Sequence, residues 1–134
     1  MSYSRRLLDT YPTTEAPDAD VLATAIEALH DCVQACVADV DANLSEPNLM
    51  DMVKCIRLCL DCADICTATA GVASRPGAPE AEVIGPLVQV CVASCRLCGD
   101  ECERHASRHE HCRVCAEACR RCERACRQLL AALK

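Results

Sequence analysis

The chain has 134 residues, a mass of 14.5 kDa, a formal net charge of −6 and a pI near 5.1. This length suits one domain with one core, and the acidic balance argues against nucleic acid as a partner, because phosphate contacts need a basic surface. Trp and Phe are absent, there are two Tyr, and 15 residues are cysteine. Since an uncharged thiol packs as a small hydrophobe, we expect cysteine to form much of the core.

The N-terminal residues include Arg5 and Arg6, but the apolar region that a signal peptide needs does not follow them. No run of 18 apolar residues occurs, so a membrane span is not expected. We therefore expect a cytoplasmic protein, in which disulfides are rare and cysteine-rich patterns indicate metal binding or catalysis. The odd number of cysteines also excludes complete disulfide pairing within one chain.

A polar lead-in covers residues 1–17 and contains Pro12 and Pro17. We expect it to be loosely ordered or to pack on the surface. Residues 18–134 form the remainder, and turn signals divide it at Ser45–Pro47, Ser74–Pro79 and His105–Ser107. The four stretches predict helices at about 18–44, 46–73, 80–105 and 108–133.

Three local signals refine these helices. Asp18 can cap the first helix through its carboxylate. Ser107, followed three residues later by Glu110, predicts a capping box at the start of the fourth. Pro86 predicts a kink or a late start in the third, because proline lacks the N–H that a helix interior uses.

The cysteines recur in steps of three and four residues. In the four stretches they are Cys32 and Cys36; Cys55, Cys59, Cys62 and Cys66; Cys91, Cys95, Cys98 and Cys102; and Cys112, Cys115, Cys119, Cys122 and Cys126. A strand would scatter such a pattern over both faces, whereas a helix gathers it into one narrow stripe with the spacing of a packed seam. Four helices with short connections predict an all-α, antiparallel up-down-up-down four-helix bundle with a cysteine-lined core.

The two ends of the seams differ in chemistry. One end finishes in leucines, namely Leu22, Leu29, Leu87, Leu129 and Leu133. The other carries side chains that can coordinate or relay a metal, namely Asp39, Asn43, Met52, His105, His109 and His111. Each of the three histidines lies three or four residues from a cysteine, which permits a shared helix face. We infer a mouth at the histidine end and a closed base at the leucine end.

The thiol spacing favours a soft ion. A structural zinc site needs four ligands in a closed set that short loops usually supply, and ferredoxin-type clusters use C-x-x-C-x-x-C runs that this chain lacks. Pairs of thiols four residues apart on rigid helices suit a monovalent d¹⁰ ion shared between neighbouring sulfurs. The pattern therefore predicts binding of several Cu(I) ions per chain, with protons displaced from the thiols.

Other interpretations stay open at this level. A zinc or general heavy-metal sink would use the same thiols. A thiol oxidoreductase would use a C-x-x-C pair such as Cys119 and Cys122, but reactive pairs lie at a helix N-terminus beside a strand, and these lie mid-helix. The cysteines could also serve only as small core residues, and the histidines only as polar turn residues. An enzyme is not expected.

Several segments together resemble the cytosolic four-helix-bundle copper storage proteins, the Csp family. They are the repeated seam C-x-x-x-C-x-x-C-x-x-x-C, the segment Cys98-Gly-Asp-Glu-Cys102-Glu-Arg-His105, and the segment His109-Glu-His111-Cys112-Arg-Val-Cys115-Ala-Glu-Ala-Cys119-Arg-Arg-Cys122-Glu-Arg-Ala-Cys126. The resemblance extends over roughly residues 20–130.

This resemblance implies a bundle that binds many Cu(I) ions, a homotetramer of such bundles, and loading through the histidine end. It also implies that all 15 cysteines are copper ligands and that His105, His109 and His111 are mouth residues. Copper would come from a copper chaperone or a small-thiol donor. Asp39 and Asn43 depart from the family pattern, because relatives often have cysteine there.

Overall fold

Helices make up the computed structural model of this chain, which describes residues 2–12 and 18–133. The elements are α1 (Tyr3–Asp9), α2 (Ala19–Leu44), a 3-10 turn (Leu49–Met52), α3 (Val53–Ala73), α4 (Ala81–His105) and α5 (Glu110–Ala132). The four long helices pack in a ring, because α2 contacts α3 and α5, and α4 contacts the same two helices. The predicted all-α four-helix bundle is thereby confirmed, and no strand occurs among the described residues.

The start of α2 follows the predicted cap. The carboxylate of Asp18 accepts hydrogen bonds from the N–H groups of Asp20, at 2.7 Å, and Val21, at 3.3 Å. These contacts satisfy two of the amide groups that a helix N-terminus leaves free. The predicted role of Asp18 is confirmed.

The start of α5 differs from the prediction. The helix begins at Glu110 after His109, and no side-chain capping hydrogen bond is present there, so the capping box at Ser107 is wrong. The carboxylate of Glu110 instead accepts from Arg113, one turn into the helix. An ion pair on the helix surface therefore uses the side chain that the capping box needs.

The second predicted helix also begins later than residue 46. The chain first makes the 3-10 turn, in which the N–H of Asp51 donates to the carbonyl of Asn48 at 3.0 Å, and α3 begins only at Val53. This turn carries Met52 into the core, where it is fully buried. Pro86 lies inside α4, which begins at Ala81, so a late start of that helix does not occur.

The lead-in contains a short helix that the sequence pattern did not predict. Ser2 caps α1 by accepting from the N–H of Arg5 at 3.2 Å, and its hydroxyl also bonds to Glu27 of α2. Arg5 pairs with Asp20 of α2. These contacts hold α1 on the surface of the bundle. Residues 13–17 of the predicted lead-in, including Pro17, lie outside the described residues.

The core contains a large group of cysteines and, at one end, packed leucines. All 15 cysteines are buried, with exposures of 0–1%. At the base, Leu22, Leu29 and Leu129 are fully buried, whereas Leu133 is partly buried against the same core. The expected closed base is therefore apolar and packed.

Two helices, α2 and α4, are long and apolar enough to cross a membrane by length and composition alone. Each presents a buried face to the bundle, through Cys32 and Cys36 in α2 and through Cys91 and Cys95 in α4. A core helix meets the same criterion as a membrane span, so this is a weak indication of a membrane.

Candidate metal centre

The thiols form a continuous column between the four long helices. All 15 are free, and neighbouring Sγ atoms lie 3.6–4.0 Å apart, from 3.6 Å between Cys59 and Cys98 to 4.0 Å between Cys32 and Cys36. A disulfide would bring two sulfurs to about 2.05 Å. A metal–thiolate bond is about 2.3 Å long for zinc. One ion of similar size placed between two of these sulfurs can therefore reach both.

Groups of four donor atoms follow one another along this column, and within each group all atoms lie within 4.8 Å of one another. From the base to the mouth, five of these groups are Cys32, Cys66, Cys95 and Cys122; Cys32, Cys36, Cys62 and Cys119; Cys36, Cys98, Cys115 and Cys119; Cys59, Cys98, Cys102 and Cys115; and Asp39, Cys55, Cys59 and Cys102. Each group shares one or two members with the next. An ion can therefore pass along the column by exchanging one ligand at a time.

The remaining thiols lie at the two ends. At the base, Cys91 Sγ is 3.8 Å from Cys66 Sγ and 4.0 Å from Cys126 Sγ. At the mouth, Cys112 donates to Asn43 Oδ1 at 3.4 Å. The structure thus brings every predicted cysteine into one interior column.

Oxygen donors replace sulfur on α2 near the mouth. Asp39 Oδ2 lies 3.8 Å from Cys55 Sγ and 3.7 Å from the sulfurs of Cys59 and Cys102. Burial raises the pKa of Asp39, and its hydrogen bond with His111 partly opposes that effect. Asn43 is also buried, and its Nδ2 atom has no hydrogen-bond partner within residues 2–12 and 18–133. The mouth of the column therefore includes oxygen atoms, which are hard ligands, whereas its middle has only thiols, which are soft ligands.

Two of the predicted mouth histidines meet at this end. His111 Nδ1 is 2.6 Å from Asp39 Oδ1, and its Nε2 is 3.0 Å from Glu46 Oε1. Burial lowers the pKa of His111, but the bonds to Asp39 and Glu46 outweigh it and the net shift is upward. His109 Nδ1 lies 3.4 Å from the same Glu46 oxygen, and the two ring centroids are 5.4 Å apart.

The third histidine has a different partner. His105 is buried, and its Nε2 lies 2.9 Å from Glu101 Oε2. Lys54 and Arg104 also approach Glu101, at 3.8 and 3.6 Å. His105 thus shares a carboxylate with two cations, whereas His109 and His111 share Glu46.

Sequence reasoning missed both of these carboxylates. Glu101 and His105 are four residues apart, so helical spacing could have revealed that pair. Glu46 lies in the connection between α2 and the 3-10 turn, where no periodic pattern indicates which way a side chain points. Its contact with His109 and His111 depends on how the connection after α2 lies against the start of α5.

The protonation of the outermost thiol is also set by its neighbours. Contact with Cys55 raises the pKa of Cys112, and burial and the charge of Asp39 raise it further. Closely packed buried sulfurs disfavour one another's negative charge. The metal-free column therefore favours neutral thiols at this end, and a cation is needed to stabilise several thiolates together.

Known proteins match both the sequence and the fold. The family model for the copper storage protein, Csp, matches residues 18–131. This chain is 53% identical in sequence to the copper storage protein Ccsp from Streptomyces lividans, whose structure was solved loaded with 10 copper equivalents. The two structures match with a TM-score of 0.93 over 96% of this chain and 98% of that one.

Two further proteins are similar to this chain. A structure of copper loading to a cytosolic copper storage protein from Streptomyces lividans, with five coppers, is 56% identical over 86% of this chain and 96% of that one, with a TM-score of 0.84. The uncharacterized cysteine-rich protein YhjQ of Bacillus subtilis (strain 168) is 40% identical over 91 residues, which are 68% of this chain and 79% of that protein. The chain therefore belongs to the copper storage protein family.

Proposed function

We propose that this protein stores many Cu(I) ions on thiolates inside its four-helix bundle. The observation that carries this proposal is the column of 15 buried, free thiols in which successive groups of four share members. Thiolates select soft ions such as Cu(I), and shared sulfurs can bridge neighbouring ions. The related Streptomyces lividans protein was solved with 10 copper equivalents, which supports many ions per chain.

Loading exchanges protons for copper. In the metal-free protein, burial favours neutral thiols, which pack as an apolar core and allow the chain to fold before it meets copper. Each thiol that becomes a ligand then releases about one proton. Once bound, the ions lie behind four helices, which limits their contact with oxygen and with other thiols.

We assign all 15 cysteines as copper ligands, and His105, His109 and His111 as residues of the loading end. Asp39 and Asn43, whose oxygens face mouth thiols, are the points at which this chain departs from an all-sulfur lining. The packed leucines of the base support loading from the histidine end.

The expected partners and compartment are part of the same proposal. A homotetramer is supported by Val83, Val90 and Leu97 of α4, which recur every seven residues and remain 53%, 51% and 46% exposed. A copper chaperone or a small-thiol donor would supply the metal. A cytoplasmic location is supported by the Streptomyces lividans relative described as cytosolic. A storage role is non-catalytic.

Zinc is the second candidate, because groups of four thiols 3.6–4.0 Å apart also suit a tetrahedral ion. Successive groups share ligands, however, so 15 thiols divided into separate sets of four serve at most three zinc ions. An oxidoreductase is disfavoured, since Cys119 and Cys122 are fully buried in the middle of α5.

An anaerobic titration of the reduced protein with Cu(I), in competition with a chromophoric Cu(I) chelator, tests this function. Storage predicts many tight equivalents per chain, whereas saturation at one or two ions would contradict it. A parallel titration in excess Zn(II) separates the two metals, because a zinc sink would lose most of its copper capacity. Cys119→Ser should lower the capacity, and Ala116→Ser, at a buried position of the same helix outside the column, should leave it unchanged.

A further inference from the structure

One carboxylate joins the two histidines at the mouth. Glu46 follows the end of α2, and its N–H donates to the carbonyl of Asn43 at 3.2 Å, which fixes the residue beside the last turn of that helix. Its Oε1 atom lies 3.0 Å from His111 Nε2 and 3.4 Å from His109 Nδ1. A loop on α2 is thereby tied to the first turn of α5.

The His111 ring, which Glu46 contacts, lies against the outermost donors of the column, and the His109 ring lies beside it. His111 Nδ1 is 2.6 Å from Asp39 Oδ1 and 3.6 Å from Cys112 Sγ. Asp39 and Cys112 are buried, whereas the side chains of His111 and Glu46 are 27% and 26% exposed. Glu46 and the two rings therefore form the boundary between solvent and the column.

Among the described residues, the opposite end has no comparable boundary. Leu22, Leu29 and Leu129 are fully buried there and carry no group that could bind or relay an ion. An ion that enters the column beside Asp39 and Cys112 therefore passes the His111 ring, which contacts both residues. The contacts that hold this ring must break, or the ring must turn, before the ion passes.

We propose that Glu46 is a positioning residue that holds His109 and His111 closed across the mouth and so sets the rate at which ions enter and leave. This rests on the proposed storage function. The described contacts of Glu46 are with the two rings and the Asn43 carbonyl, and Glu46 belongs to none of the five donor groups given above. Because these contacts re-form behind each ion that passes, their loss accelerates entry and release by one factor and leaves the number of bound ions unchanged.

A labelling experiment without copper tests the closure by itself. Reduced, metal-free protein is treated with N-ethylmaleimide, and the modified cysteines are located by mass spectrometry. In Glu46→Ala, Cys112 should react about fivefold faster than in the wild type, because the contacts that hold the two rings are lost. Cys91, at the base, should keep its wild-type rate.

Two controls separate closure from general loosening. Asp51→Asn removes an exposed carboxylate from the 3-10 turn at the same end, and it should leave Cys112 labelling unchanged. Glu46→Gln keeps an oxygen acceptor of the same length and should lie closer to the wild type than Glu46→Ala. Equal acceleration at Cys91 and Cys112, or none at Cys112, would overturn the proposal.

A kinetic experiment with copper completes the test. Stopped-flow loading from a Cu(I) complex, and removal by bathocuproine disulfonate, should both be about fivefold faster in Glu46→Ala, with the number of bound ions unchanged. A change in only one direction, or a lower capacity, would contradict a closing role. Saturation of the wild type at one or two ions would instead refute the storage function, and the labelling result would still decide whether Glu46 closes the mouth.

Discussion

Asp39 connects the ring of His111 to the sulfur column. One carboxylate oxygen lies 2.6 Å from His111 Nδ1, and the other lies 3.7–3.8 Å from the sulfurs of Cys55, Cys59 and Cys102. The His111 imidazole, whose pKa is raised, pairs with one side of this carboxylate, while three thiols surround the other. Its charge is therefore only partly compensated in the metal-free protein.

This arrangement predicts a pH-dependent stability. A carboxyl whose pKa is raised by burial costs stability once the pH exceeds its ordinary value of about 3.9. A histidine whose pKa is raised contributes stability that is fully present below about 6.5 and is lost as the pH rises through its higher folded value. Both groups act in the same direction, so Asp39 and His111 lower the free energy of unfolding as the pH rises above about 4.

Asp39→Asn isolates the carboxylate, because the amide oxygen can still accept from His111. At pH 8 the metal-free variant should be about 1 kcal/mol more stable than the wild type, and the difference should shrink towards pH 5. Urea unfolding under reducing conditions measures it. Asp41→Asn, which changes an exposed carboxylate on the same helix, is the matched control. A variant that is less stable at pH 8 would show that the charge is fully compensated.

Copper loading should acidify an unbuffered solution. The pKa of Cys112 is raised by its contact with Cys55, by burial and by the charge of Asp39, which favours the protonated thiol before loading. Addition of Cu(I) to the metal-free protein in a pH-stat should release about one proton for each thiol that becomes a ligand. Binding without proton release would mean that the thiolates already exist in the empty column.

Alanine at Gly99 tests the packing of α4 against α5, and Gly71, in α3, is its control. A Cβ atom at Gly99 would lie 3.0 Å from Arg120 Nη1, and that guanidinium is held by Asp100 and Glu103 at 2.6 and 2.8 Å. A Cβ at Gly71, in α3, would lie 3.7 Å from Arg75 Nη1, which is ordinary van der Waals contact.

In a helix interior, alanine is about 1 kcal/mol more favourable for stability than glycine. Gly71→Ala should therefore stabilise the metal-free protein by about that amount. Gly99→Ala should be less stable than Gly71→Ala by about 1 kcal/mol or more, because the Arg120 network must shift. Chemical unfolding of the two variants gives the comparison, and equal stabilisation would show that Arg120 adjusts freely.

The base of the bundle should matter for folding more than for storage. Leu29→Ala removes a fully buried side chain and should destabilise the metal-free protein by about 2–5 kcal/mol. Val114→Ala, at a half-exposed position of α5, should change stability by less than about 1 kcal/mol. Both variants should retain the wild-type copper capacity in the anaerobic titration, since neither residue contributes a donor atom. A marked loss of capacity in Leu29→Ala would show that the leucine base also shapes the copper sites.

Much of the interior followed from the order of residues. The steps of three and four between Cys91, Cys95, Cys98 and Cys102 are compatible with one face of a helix and with no strand, so both the element type and the buried face were predictable. The cap at Asp18 was predictable because it depends on neighbours two and three residues away. By contrast, Ser107 and Glu110 have the spacing of a capping box, but Glu110 instead pairs with Arg113.

Residue order is enough to predict that this chain forms helices, that each long helix turns its cysteines to one side, and that one end of the bundle is rich in histidine and the other in leucine. The folded structure was needed to place Asp39 among three thiols, Glu46 beside His109 and His111, and His105 beside Glu101. Helical periodicity fixes which direction a side chain takes from its own axis. The relative height and rotation of neighbouring helices, together with the path of their connections, fix what that side chain touches.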